Sequence, residues 1–150
     1  MLDKTHRYVL LGSCFSQYMG ERMEAEGYHA LCNPVGTLFN PESIRNTVCH
    51  ALCGGAESLP MFHDQAMQEW RCWWANTRFR ADSEDEARAL VQEPFRALGD
   101  ALCHAGRLFL TLGTNVCYRL VENGMAVSNC QRQADRLFRE DSLSLQQTCE

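Results

Sequence analysis

The chain contains no apolar stretch approaching the 18 or more residues of a membrane span, so no membrane partner is expected. It has no long basic run. With 14 Lys and Arg against 19 Asp and Glu the net charge is −5. Nucleic acid is therefore not an expected partner, because phosphate binding needs clustered Lys and Arg. The first residues, Met1-Leu2-Asp3-Lys4-Thr5-His6-Arg7, lack the charged-then-apolar layout of a signal peptide. No Gly-x-Gly-x-x-Gly follows either continuous apolar run, which argues against a dinucleotide-binding domain. Cys49-His50-x-x-Cys53 has no matching second pair, and structural zinc needs four ligands, so no metal is expected. No other cofactor is called for. Repeats and low-complexity linkers are missing too, and the 150 residues read as a single domain, 1–150.

Cysteine is abundant. The count is nine, an odd number, and most positions lie inside apolar patterns such as Ala101-Leu102-Cys103. Without an export signal these read as reduced thiols of a cytoplasmic protein, packed as small hydrophobes. The 45% hydrophobic and 22% charged content is that of an ordinary globular chain with a real core.

Hydrophobic periodicity predicts alternating strands and helices. A strand is expected over residues 7–12, then an amphipathic helix over 15–26 stopped by Gly27, and a short strand over 28–32. Asn33-Pro34-Val35-Gly36-Thr37 reads as a loop. Pro41 opens a helix that runs to Cys53 and ends at Gly54-Gly55. Residues 56–82, with Trp70, Trp73 and Trp74 among arginines, read as short strands or an extended excursion. The acidic run Asp82 to Glu86 opens a helix reaching about His104, interrupted or bent at Pro94. Residues 108–112 form a second apolar strand, 116–121 and 125–128 a hairpin, and Ser142 is expected to cap a final helix. The runs 7–12 and 108–112 are expected to be adjacent or near-adjacent parallel strands, buried on both faces. The helices over 15–26 and 84–104 should cover them.

Three loops at strand ends carry the candidate chemistry. Gly12-Ser13 ends the first strand and starts a helix, which presents one hydroxyl at the carboxyl end of a sheet beside the helix N–H groups. Ser13 also suits a plain N-cap. Asn33-Pro34-x-Gly36 supplies a glycine N–H, and Gly113-Thr114-Asn115 a side-chain amide. Acyl transfer needs a nucleophile and donors aimed at the developing oxyanion. Cys14, a thiol at a helix N-terminus, is a rival nucleophile.

Gly12-Ser13-Cys14-Phe15-Ser16 resembles the opening signature of the GSCFA domain family, in which alanine is usual at the last place. Asn33-Pro34-Val35-Gly36, Thr111-Leu112-Gly113-Thr114 with Tyr118, and Val127-Ser128-Asn129-Cys130 resemble three further blocks of that family, in order. Phe138 and Leu143 fit the segment that follows. The family is related to SGNH (GDSL-like) serine hydrolases. The resemblance implies a three-layer α/β/α fold with a mostly parallel, flavodoxin-like sheet. It further implies Ser13 as nucleophile, and an oxyanion hole from the Ser13 N–H, the Gly36 N–H and the Asn115 side chain. Asn33, Thr114 and Asn129 fall in the same blocks and are the expected substrate-binding residues. The substrate implied is a small-molecule or carbohydrate ester.

Two departures qualify the mechanism. Gln131-Arg132 stands where the family has His-Lys. The superfamily's catalytic histidine lies near the end of a longer domain in an Asp-x-x-His pattern, and none of His6, His29, His50, His63 and His104 sits in one. The chain thus reads as the N-terminal part of a hydrolase domain, incomplete at its C-terminal end. The competing expectation is a non-catalytic carbohydrate- or ligand-binding relative that kept the cleft, with Trp70, Trp73 and Trp74 as a sugar platform. An unpaired sheet edge or apolar face would favour a homo-oligomer.

Overall fold

The computed structural model describes residues 2–149. Strand β1, Arg7–Gly12, lies at the centre of a parallel three-stranded sheet. Its neighbours are β2, His29–Cys32, and a strand from much later in the chain, Arg107–Thr111. Helix α1, Cys14–Ala25, crosses from β1 to β2. Helix α2, Pro41–Cys53, follows the loop after β2 and is capped by the Asn40 side chain, with proline in its first turn.

The alternation of side chains along β1 builds a layer on each face. Tyr8 and Leu10 pack with Met23 of α1 on one side, and Val9 and Leu11 with Leu98 on the other. Leu98 belongs to α3, Glu84–His104, whose Ser83 cap and acidic first turn match the expected start. The helix runs through Pro94 without a break. Proline leaves the Leu90 carbonyl without its donor, and Leu90 is exposed, so water can take that place. The α/β architecture, with helices on both faces of a parallel sheet, is as expected.

Between α2 and α3 the chain makes three strands: β3, Met61–Asp64, β4, Glu69–Cys72, and β5, Arg80–Ala81, joined as an antiparallel sheet. The late parallel strand, Arg107–Thr111, is β6. A third sheet, also antiparallel, contains β7, Val116–Leu120, at its centre, with β8, Ala126–Val127, and β9, Phe138–Ser142, on either side. The Arg71 guanidinium joins the second sheet to the loop before β9, with Asp64 at 3.1 Å, Glu69 at 3.0 Å and the Gln131 carbonyl at 3.3 Å. Arg119 of β7 clamps the third sheet to α2 through both oxygens of Glu42, and binds Asp141 at 2.8 Å.

Two expectations are corrected. Strand β6 is not buried on both faces: Leu108 is 44% exposed and Leu110 51%. It pairs with β1 on one edge only, and α1 and α3 lie chiefly over β1 and β2. Ser142 does not cap the last helix, because Phe138–Ser142 pairs with β7. The cap is Ser144: its hydroxyl accepts from the Gln147 N–H at 3.2 Å, and the Gln147 side chain accepts from the Ser144 N–H at 2.9 Å, ahead of α4, Leu145–Cys149.

All nine cysteines are free. Burial pushes the Cys32 thiol up to about 11 and the Cys72 thiol up to about 12, so neither forms thiolate at ordinary pH. Iodoacetamide at pH 8 is therefore expected to modify Cys14, Cys49, Cys53, Cys103 and Cys149, which are exposed, well before Cys32 or Cys72. Peptide mass spectrometry reads this order. Early loss of the Cys72 thiol would contradict the packing of β4.

Candidate active site

Gly12 has a φ of +138°, and a Cβ there would lie 2.1 Å from the Thr111 carbonyl oxygen, so only glycine fits. This tight passage turns the chain from β1 into α1 and leaves Ser13 half-buried at the carboxyl end of the sheet. Ser13 is the N-cap of α1, its Oγ accepting from the Phe15 N–H at 3.3 Å. Capping and a catalytic role are compatible, since both need the oxygen at the helix N-terminus. The first turn of α1 holds no acidic residue to neutralise the helix dipole there.

The neighbouring loops close around this hydroxyl. The Gly12 N–H donates to Asn33 Oδ1 at 2.9 Å, and the Leu38 N–H to the Gly12 carbonyl at 2.8 Å. The Phe39 carbonyl accepts from the N–H groups of Gly113 and Thr114 at 2.8 and 2.9 Å. A Cβ on Gly113 would stand 3.5 Å from Ser13 Cβ, so the loop after β6 lies directly against the serine. Ser13, Asn33, Gly113 and Thr114 are thus drawn to one edge of the sheet.

The expected oxyanion donors are engaged within the fold. The Ser13 N–H donates to Thr111, at 3.0 Å to Oγ1 and 3.2 Å to the carbonyl. The Gly36 N–H donates to the Asn33 carbonyl at 2.9 Å. Gly36 has a φ of +114°, and Asn76 fills the space a side chain would need. Asn115 Nδ2 donates to the Leu143 carbonyl at 2.9 Å, and the Asn115 carbonyl accepts from the Leu143 N–H, which tethers β9 to the loop. By contrast, Asn33 is 3% exposed and its Nδ2 has no partner, a free donor in the residue that holds Gly12.

The remaining sequence candidates have structural work of their own. Thr114 Oγ1 accepts from the Val116 N–H at 3.0 Å. Asn129 is held on other loops, donating to the Ala75 carbonyl at 3.4 Å and accepting from the Gln131 N–H at 2.8 Å. Gln131, where the resemblance implies a histidine, is 2% exposed and clamps the Cys72 and Ala75 carbonyls through Nε2. The tryptophans form no exposed platform. Trp73 is 7% exposed and stacks on Phe62 with ring centroids 3.7 Å apart, while Trp74 Nε1 donates to the Ala126 carbonyl. Of Cys49-His50-x-x-Cys53, both thiols are exposed, whereas His50 is buried edge-on against Phe95. Burial holds the His50 imidazole below its ordinary range. No histidine makes a hydrogen bond to Ser13 among the described residues.

The sequence reasoning missed a chain of hydroxyls beneath the serine. Ser16, fully buried, donates to the Leu11 carbonyl at 3.2 Å and lies 2.7 Å from Thr111 Oγ1. Thr111 Oγ1 lies 3.2 Å from Ser13 Oγ. Ser16 has one proton, and Leu11 accepts it. Thr111 therefore donates to Ser16 and accepts from Ser13. The direction that satisfies all three contacts runs Ser13 to Thr111 to Ser16 to backbone. The available signal was the hydroxyl residue Ser16 three positions after Ser13, on the inner side of the first turn of α1. Thr111→Val keeps the shape and removes the middle hydroxyl. It is expected to cost about 1–3 kcal/mol of stability in urea unfolding, since Ser16 loses its donor in a buried setting. A change below about 0.5 kcal/mol would show that the chain carries no energy.

The sequence model of the GSCFA family matches residues 7–150. No curated protein matches the chain. No solved structure matches it either. With the match running from the first residue of β1 through the serine turn and the blocks packed around it, the chain belongs to the GSCFA family.

Proposed function

We propose that this domain is the nucleophile-bearing part of an esterase-type hydrolase site, with Ser13 attacking a small-molecule or carbohydrate ester. The observation that carries the reading is the position of Ser13 at the carboxyl end of β1. There its oxygen sits on the N-terminus of α1, with the Gly113 loop against it. Exposed Phe15, Phe39 and Leu112 surround this edge and suit an apolar acyl group. The donors assigned to the oxyanion are the Ser13 N–H, the Gly36 N–H and Asn115 Nδ2. Each would have to exchange its internal partner for substrate. Asn33, Thr114 and Asn129 are the proposed substrate contacts. A relation to SGNH hydrolases belongs to this reading, as does a cytoplasmic location, which the nine free thiols suit.

A second reading is a binding domain that kept the cleft. The observation favouring it is that no base touches Ser13 among the described residues. Incubation with p-nitrophenyl butyrate separates the two. Saturable release of p-nitrophenolate above the buffer rate supports hydrolysis. Saturable binding of the ester without release supports the binding domain. Self-association through the open edge of β6 accords with either.

A further inference from the structure

A second concave site lies away from Ser13. It is an open groove of about 1290 Å³ between the sheet β3-β4-β5 and the β7 end of the third sheet, and neither Ser13 nor Gly113 lines it. Its floor is apolar and deformable: Phe62 stacked on Trp73, with Met61, Met67 and Met125 alongside. Methionine side chains adapt to irregular aliphatic shapes. Phe62 and Trp73 cover one another's inner faces, which leaves little flat aromatic surface for a sugar ring.

The charge on the groove opposes that of the chain. Five arginines line it against two acidic residues, in a protein of net charge −5. Of those two, Asp64 is already paired with Arg71 and Glu122 lies exposed on the turn after β7; Glu69, outside the lining, is shared by Arg71 and Arg80. Arg71 is 4% exposed, and its Nε is a buried donor without a partner. Arg132 and Arg136 line the groove from the segment before β9, are exposed, and make no ion pair among the described residues. Arg78 also lines the groove, donating to the Pro34 carbonyl at 3.0 Å. An aliphatic trough with unmatched guanidinium groups at its rim recognises one kind of small molecule: an apolar chain ending in an anion.

We propose that this groove binds a medium-chain aliphatic carboxylate, its chain over Phe62, Met61 and Met125 and its carboxylate held by Arg132 and Arg136. The site does not depend on the Ser13 reading, because no residue of the nucleophile turn lines it.

Titration with octanoate, followed by tryptophan fluorescence and calorimetry, tests this. Trp73 is part of the floor, so its emission should change on occupancy. Saturable octanoate binding is expected, at least about tenfold tighter than octanol and with no saturation by acetate. Arg132→Ala/Arg136→Ala should weaken octanoate at least about tenfold and leave octanol unchanged. Both arginines are exposed, and an unchanged circular dichroism spectrum confirms the fold. Absence of saturable octanoate binding, equal binding of octanol, or an unaffected double variant would each overturn the proposal. Ser13→Ala should bind octanoate as the parent does; a loss there would move the site to the nucleophile edge and overturn it as well.

Discussion

The turnover of p-nitrophenyl acetate by this chain is expected to lie about 10⁴-fold or more below that of a complete serine–histidine site, with the remainder falling to the buffer rate in Ser13→Ala. The reason is geometric. A serine hydroxyl is a weak nucleophile unless a base takes its proton. Here that proton points to Thr111 Oγ1, whose own proton goes on to Ser16. Both are hydroxyls and neither is a base at neutral pH. Two of the five histidines are held away from Ser13. His63 lies against Trp70 with ring centroids 5.3 Å apart, and His104 at the end of α3 sits 2.8 Å from the Asp100 carbonyl. Fast turnover that requires Ser13 would mean that one of the five histidines reaches the site, and His63→Ala and His104→Ala would be made first. Fast turnover that survives Ser13→Ala would remove the nucleophile assignment.

Replacing Arg71 by Met is expected to cost about 3–5 kcal/mol, the usual consequence of leaving a buried charge without its partner. Asp64 is 2% exposed and would keep only the Gln133 amide and the Ala66 and Met67 N–H groups. At roughly 2–4 °C per kcal/mol for a chain of this size, the melting temperature should fall on the order of 10 °C. Arg71→Met/Asp64→Asn should recover a large part of the loss, because the amide oxygen still accepts from the turn and the charge is gone. A single-variant cost below about 1 kcal/mol would contradict the view that Arg71 joins the second sheet to the loop at Gln131. So would a double variant no more stable than the single one.

What the sequence revealed and concealed follows from the range of each interaction. Helices α2 and α3 were legible nearly to the residue, because Pro41, Ser83 and Gly54 act on their nearest neighbours. The pairing of β1 with β6 followed from two continuous apolar runs in an α/β pattern. The exposure of β6 could not be read from its composition, because Leu108 to Leu112 has the pattern of a buried strand whatever covers it. Strand β9 was hidden because Phe-Arg-Glu-Asp-Ser has little strand propensity, and only its register with β7 and the Arg119–Asp141 pair make it one. At the site, Ser13 was visible because the turn is local. The engagement of Gly36 with Asn33 and of Asn115 with Leu143 was not, since neither partner is fixed by the blocks around it. The tryptophans misled for a similar reason: an aromatic cluster looks the same in sequence whether its faces meet a ligand or each other.

The most direct test of the central claim is covalent. The chain is incubated with an alkyl fluorophosphonate, which phosphonylates nucleophilic serines, and the adduct is located by peptide mass spectrometry. The account predicts one adduct, slow to form, on Ser13, absent in Ser13→Ala and retained in Cys14→Ala. An adduct on Cys14, an even spread over the exposed serines, or no adduct on Ser13 would contradict it.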